Sequence, residues 1–353
     1  MSVLPSRDRR FLLILCLGVC ALCVLVGWWF SLVWLGAGGF VAFVFYCVND
    51  RIWKIPFFPY DRILSAHSID GINWTREPGV RLEVGGLHAS VQVYAPVVVK
   101  MQRQWRMYYR AGGNDSSIAS AISDDGLVWR EEAGWRLGAA NASARLEPHC
   151  ALAVAGGWHL YYSACADGRW TILRAQSTDG LLWRPEGECS GLGEGNVKDA
   201  CVIATASETR IYFRRGDNDN LAFFTGVSAD GLAWCDIRQC TGYTVAEFPH
   251  VACPRVLRQE EGWRMYFSEW SDESFIGARI ASARSLDGVH WLREEGLRLT
   301  PGGRYDPLGV FCPDIVATER GWRMYYGGFW QRHFLQPLTL YRRRGLRRFG
   351  KGD

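Results

Sequence analysis

Acids, histidines and bases cluster in a few short stretches that repeat nowhere else in the chain. These are LEPH (Glu147, His149), EGNVKDA (Glu194, Lys198, Asp199), EFPHVACPR (Glu247, His250, Arg255), and YDP with CPD (Asp306, Asp314). Three or more carboxylates brought together would push their pKa values apart, leaving one ionised base and one protonated acid. Glycosidic bond cleavage uses that pairing: an acid protonates the leaving oxygen while a carboxylate activates water or attacks. His149, His250, Arg255, Asp306 and Asp314 are the candidate substrate-binding groups. For any one of these acids the commoner role is structural, as a strand cap or a partner of Lys198, Arg214, Arg215 or Arg255, because structural ion pairs mimic sites.

What must bring these stretches together is a repeat. SIDGINW (Ser68 to Trp74) returns as SDDGLVW, STDGLLW, SADGLAW and SLDGVHW, the last ending at Trp291. A spacing of about fifty residues signals a propeller, solenoid or array. Interleaved with it are WRMYYRAG from Trp105, WHLYYSAC from Trp158, RIYFRRG from Arg210, WRMYFSEW from Trp263 and WRMYYGGF from Trp322. Each repeat reads as four strands: a β-branched apolar run such as APVVV, the half-buried WRMYY strand, a third strand running into an Asp-Gly turn, and a fourth starting at the Trp. Four antiparallel strands make one propeller blade.

The expected fold is therefore all-β, a five-bladed propeller. Its innermost strands are predicted at Tyr94–Val99, Pro148–Val154, Asp199–Thr205, Cys253–Leu257 and Cys312–Ala317. The chain joins the repeats at a third strand and leaves after a second, so the two ends should combine into one composite closing blade that removes exposed edges. The recurring Asp70, Asp125, Asp179, Asp230 and Asp287 are expected to be turn residues, with the following Gly at positive φ, and their Trp partners to pack between blades. The polar groups that break the repeat then face one axis.

These phrases resemble the five-bladed propeller superfamily of arabinanase- and invertase-type glycoside hydrolases (families 43 and 32). The resemblance rests on SxDGxxW, the xPxVV inner strand and WRMYY, and covers roughly Pro59 to Trp330. It implies a hydrolase or transferase acting on sugars with three carboxylates from successive blades. Carried over to this sequence these are Glu147 as base or nucleophile, Asp199 as the orienting group and Glu247 as acid, with LEPH at Glu147 a competing match to the acid-bearing element. The family's first position is usually Asp, and the first blade here supplies no acid. A non-catalytic propeller that binds a glycan or a protein partner in a membrane-associated polysaccharide pathway is the alternative.

The remaining expectations concern the ends of the chain and its composition. Phe11 to Cys47 carry no charged residue, longer than the roughly 20 apolar residues one span needs. Residues 1–56 are read as a membrane anchor of one long or two short helices, 57–337 as the propeller, and 338–353 as a basic tail with Leu338 to Arg343 as an edge strand. Arg7, Arg9 and Arg10 before the apolar run and Arg51 and Lys54 after it favour both ends, and the propeller, on the cytoplasmic face of an inner or plasma membrane. A single signal anchor with the repeats outside is the alternative. The expected partners are a carbohydrate or glycoconjugate and the bilayer. A net charge of +4 without a basic stripe argues against nucleic acid. The absence of any CxxC pair from the repeats gives no support to a metal site there, and no cofactor is required.

Overall fold

The computed structural model describes Leu17 and residues 60–330, apart from residues 89–91, 113–115, 139–144, 206–207, 217–220 and 272–274. The apolar run, the basic tail and the proposed Leu338–Arg343 strand lie outside the described residues, as do the boundaries near 56 and 337. Among the described residues no helix is long and apolar enough to cross a membrane.

Residues 60–330 form five antiparallel sheets. Strands Gln92–Lys100, Trp105–Gly112, Ser117–Ser123 and Arg130–Glu131 make the first blade; Arg145–Val154, Gly157–Ala166, Arg169–Ser177 and Arg184–Glu188 make the second. The third is Val197–Ala204, Thr209–Arg215, Ala222–Ser228 and Cys235–Gln239; the fourth is His250–Arg258, Trp263–Trp270, Arg279–Ser285 and Leu292–Arg293. The fifth is composite, as expected from the two incomplete ends. Gly309–Thr318 and Gly321–Trp330 join Tyr60–Ser68 and Thr75–Arg76, with Tyr60 opposite Trp330 and Ser68 opposite Trp322. A further short strand, Leu82–Glu83, pairs with Tyr60–Ser68 and was not signalled by the repeats.

The repeated phrases explain how the blades hold to one another. In each of the five SxDGxxW turns the Asp Oδ1 accepts a hydrogen bond from the preceding Ser hydroxyl and from two backbone N–H groups, as at Asp70 with Ser68, Ile72 and Asn73 (2.8–2.9 Å). The five glycines lie at φ 71° to 76°, a region open to glycine without a Cβ penalty. Close approach is the second requirement. The carbonyl of Gly126 accepts from the Tyr325 hydroxyl of the neighbouring blade at 2.8 Å, and a Cβ on Gly126 would lie 2.6 Å from that oxygen. Tyr108 to Gly180, Tyr161 to Gly231 and Tyr266 to Gly71 repeat the bond. Each Trp meets the same tyrosine edge-on, for example Trp183 on Tyr108 with centroids 5.4 Å apart, a contact worth about 0.5–1.5 kcal/mol beyond burial. Thus SxDGxxW and WRMYY are two halves of one inter-blade clasp.

Candidate functional site

All five inner strands break register near their start: between Tyr94 and Val97, Pro148 and Cys150, Lys198 and Cys201, Ala252 and Arg255, and Phe311 and Asp314. At this bulge Ala95, Asp199, Cys253 and Cys312 adopt φ of 50° to 62°. The left-handed conformation costs a non-glycine residue about 1–2 kcal/mol, and such strain tends to persist where a site is being shaped. The second blade carries Pro148 at the matching place, whose ring excludes positive φ.

The bulges turn their residues onto the axis. His149, Asp199, Cys253, Arg255 and Cys312 line a small axial cavity together with the bulge prolines and alanines. Its volume is about 20 Å³, room for one water-sized group. Anything as large as a sugar must therefore sit above it, toward the strand starts.

On that side the first three blades supply polar groups. Glu147, 1% exposed, is held by Lys198 Nζ at 3.0 Å and Arg110 Nη1 at 2.9 Å, and Tyr94 donates its hydroxyl proton to it at 3.2 Å. Burial opposes the Glu147 charge, but Lys198 and Arg110 outweigh it and hold the carboxyl well below the usual range. Asp199 is buried against Arg214 Nε at 2.7 Å and accepts the Cys253 N–H at 3.2 Å. His149 Nε2 lies 2.8 Å from Ser163 Oγ. Burial lowers its pKa to about 4, against the opposing pull of Asp199 and Glu147, so the ring is neutral near pH 7. Glu147, His149 and Asp199 bring one ligand-type atom each within 4.8 Å of one another. That spacing would suit a divalent cation, but the cation would compete with Lys198, Arg110 and Arg214 for the same carboxylates.

An apolar cluster adjoins these polar groups through Tyr94. Ala95, Ala252, Trp270, Phe311, Cys312 and Phe329 form one cluster, with Tyr94 packed against it. Phe311 stacks on Phe329 at 4.2 Å and lies 5.4 Å from Tyr94.

Two groups near the mouth escaped the sequence reading. Asp61 is 3% exposed and its Oδ1 has no hydrogen-bond partner among the described residues. Burial raises its pKa well above the usual carboxylate range; Arg110 opposes this and the Glu147 charge adds to it. Asp61 is thus biased toward its protonated form, beside the ionised Glu147. Arg110 follows the repeated WRMYY, at the second-strand place opposite Tyr94; Ser163, Arg214, Ser268 and Gly327 occupy the same place in the other blades. Comparing that column would have singled out Arg110 and Arg214. Asp61 has no such signal, because it stands just before the first recognisable phrase.

Other expected site residues lie apart from this cluster. Glu247 is exposed, in the turn that bridges Val245 and Phe248. His250 stacks on Trp270, with ring centroids 5.6 Å apart. Arg255 pairs with Asp314 at 2.7 Å on the axial wall, and Asp314 also accepts the Val98 N–H at 2.6 Å; burial raises the Asp314 pKa against the pull of Arg255. Asp306 is fully buried, bound by Arg76 Nε and the Tyr326 hydroxyl, both at 2.9 Å. Its partner Tyr326 packs with Tyr266 and Ile280 of the fourth blade, so Asp306 belongs to a blade interface and not to the cavity lining.

No protein-family model matches the chain. Two uncharacterised proteins of Mycobacterium tuberculosis are 35% identical over 66 residues, which is 19% of this chain and 22% of theirs. The chain thus matches about a fifth of the length of these curated relatives. Among solved structures it is similar to a thermostable family-43 glycoside hydrolase (TM-score 0.56, 15% identity, 69% of this chain and 89% of that one). It is also similar to an endo-1,4-beta-xylanase from Bacteroides thetaiotaomicron (0.58, 18%, 69% and 87%) and to a beta-1,2-mannobiose phosphorylase from Listeria innocua (0.57, 14%, 75% and 96%). At these identities the likeness is one of fold, a five-bladed propeller shared with several glycan-acting enzymes.

Proposed function

We propose that the chain is a carbohydrate-active propeller that takes a sugar at the mouth of its axial funnel, held at a membrane by the apolar run within residues 11–47. The observation that carries this reading is the cluster of Glu147, His149 and Asp199, which Tyr94 links to an aromatic group of Phe311, Phe329 and Trp270. A sugar ring has hydroxyls around its edge and C–H groups on its faces, so a site that joins polar and aromatic groups suits it. Two of the structural neighbours are an endo-1,4-beta-xylanase and a beta-1,2-mannobiose phosphorylase, which supports the same substrate class.

As a glycosidase-type enzyme the chain would use Glu147 as base or nucleophile, since Lys198 and Arg110 keep it ionised. Asp61, which burial biases toward its protonated form, would donate the proton to the leaving oxygen, and Asp199 would orient. The split of two neighbouring carboxyls into one charged and one neutral form is what the reaction needs. Glu247, the acid implied by family resemblance, would act only from its exposed turn.

A specific observation favours a second reading, glycan binding without cleavage. Three acids around the axis, Glu147, Asp199 and Asp314, are each engaged by a Lys or Arg, which stabilises them as fixed hydrogen-bond acceptors. The full-length protein in detergent, screened against chromogenic pentosides, hexosides and fructosides beside Glu147→Gln, Asp61→Asn and Glu247→Gln, separates the readings. Turnover lost in the first two variants and kept in the third supports the enzyme with Asp61 as acid. Loss only in Glu247→Gln returns the acid to that turn. Glycan binding without turnover supports the second reading, and neither binding nor turnover refutes both.

A further inference from the structure

We propose that Cys253 and Cys312 are a built-in disulfide site, a covalent latch between the fourth blade and the composite blade that closes the ring. The two residues are 59 apart in sequence and lie on adjacent inner strands, with Sγ atoms 2.7 Å from each other. A disulfide holds its sulfurs about 2.0 Å apart, so only a small approach separates the two states. Both residues occupy the bulge position of their strands, at φ 52° and 50°, and the same backbone conformation turns both side chains onto the axis. The other described cysteines are engaged elsewhere: Cys150 with the Val202 carbonyl, Cys201 with that of Val256, Cys189 and Cys240 with the carbonyls of Gly231 and Gly288, Cys235 with that of Val227, and Cys165 with Arg145.

The pair is also reachable. Cys253 and Cys312 line the axial cavity beside His149 and Asp199, and Cys253 is half-buried. A cavity of that size admits a peroxide but excludes bulky disulfides. The oxidant fitted to the site is therefore hydrogen peroxide. It converts one thiol to a sulfenic acid and releases a water. The second sulfur then attacks the sulfenic sulfur, the S–S bond forms, and the hydroxyl leaves with the second thiol's proton as another water. The thiols lose two electrons and the peroxide gains them. Burial raises both thiols above their ordinary pKa; little thiolate is present at neutral pH, and the reaction accelerates toward pH 8.5. A link across 59 residues restricts the unfolded chain strongly and ties the fourth blade to the C-terminal strands of the composite blade.

The test is thiol mapping of the full-length protein in detergent. The reduced, desalted protein is treated with excess hydrogen peroxide at pH 8.5, alkylated and digested. The expected product is a peptide pair joined through Cys253 and Cys312, two mass units below the sum of its parts, released by dithiothreitol and absent from Cys312→Ser. Oxidised wild type should also melt several degrees higher than reduced wild type, while Cys312→Ser shows no such rise. Exposed Cys235 reports that oxidant was present. Recovery of Cys253 and Cys312 as separate alkylated or singly oxidised residues while Cys235 is oxidised would overturn the proposal. So would a link from either residue to a different cysteine.

Discussion

Replacing Lys198 with methionine keeps the aliphatic stem against Trp170, whose ring centroid lies 4.1 Å from the Lys198 Nζ, and removes one of the two cations on Glu147. The remaining partners are Arg110 at 2.9 Å and the Tyr94 hydroxyl at 3.2 Å. Breaking a buried ion pair costs about 3–5 kcal/mol, and the surviving Arg110 places the loss near the lower end, about 3 kcal/mol. At about 2–4 °C per kcal/mol for a domain of this size, the melting temperature should fall by roughly 6–12 °C at pH 7. The pH dependence follows from the depressed pKa of Glu147 in the folded state. A carboxylate below its unfolded value of about 4.3 contributes stability that is present above that pH and lost as pH falls toward the folded pKa. Without Lys198 the folded pKa rises and this contribution shrinks. The difference between wild type and variant is thus full at pH 7 and narrows below pH 4. Thermal unfolding followed by circular dichroism at pH 7, 5 and 3.5 measures it. A difference under about 1 kcal/mol at pH 7, or one independent of pH, would refute the ion-pair account of Glu147.

The inter-blade clasp makes a prediction with an internal control. Tyr325→Phe leaves the Gly126 carbonyl without its donor and should cost about 1–2 kcal/mol in urea unfolding. Tyr212→Phe should be near neutral, because that hydroxyl has no hydrogen-bond partner among the described residues. Gly126→Ala combines positive φ with a Cβ 2.5 Å from Arg323 Nη1 and 2.6 Å from Tyr325 Oη, and should lower stability by at least about 2 kcal/mol by the same assay. His149 favours its neutral form when folded, with a pKa of about 4 against about 6.5 unfolded. Wild type should therefore lose stability as pH falls from 6.5 toward 4, and His149→Gln should flatten that slope. Asp61 has the opposite sense for an acid: its raised folded pKa costs stability as pH rises above about 3.9. Asp61→Asn should be neutral at pH 3.5 and stabilising at pH 7.

The scaffold was readable because its signals are local and repeated. A five-fold Asp-Gly turn and a five-fold aromatic strand imply blades, and two complementary fragments imply a composite closure. The pairing of Glu147 with Asp199 was legible for the same reason, since both sit at the start of an inner strand and inner strands start around one axis. What stayed hidden depends on contacts between distant parts of the chain. Asp61 meets Glu147 and Arg110 only because the N-terminal strand completes the last blade and thereby borders the first. Asp306 and Glu247 precede their inner strands in sequence, yet one turns into a blade interface with Arg76 and Tyr326 and the other onto an exposed turn. Sequence proximity to a strand start does not fix which way a connecting loop faces. The apolar run and the basic tail are read from composition alone, and they lie outside the described residues.

The most direct test of the central claim is glycan-array binding by full-length wild type in detergent, beside Glu147→Gln shown to be folded by circular dichroism. Retention of a defined set of glycans by wild type, weakened at least tenfold in the variant, is the predicted result. A folded wild-type protein that retains no glycan, or a set of glycans held equally by both forms, would contradict a carbohydrate site at the mouth of this funnel.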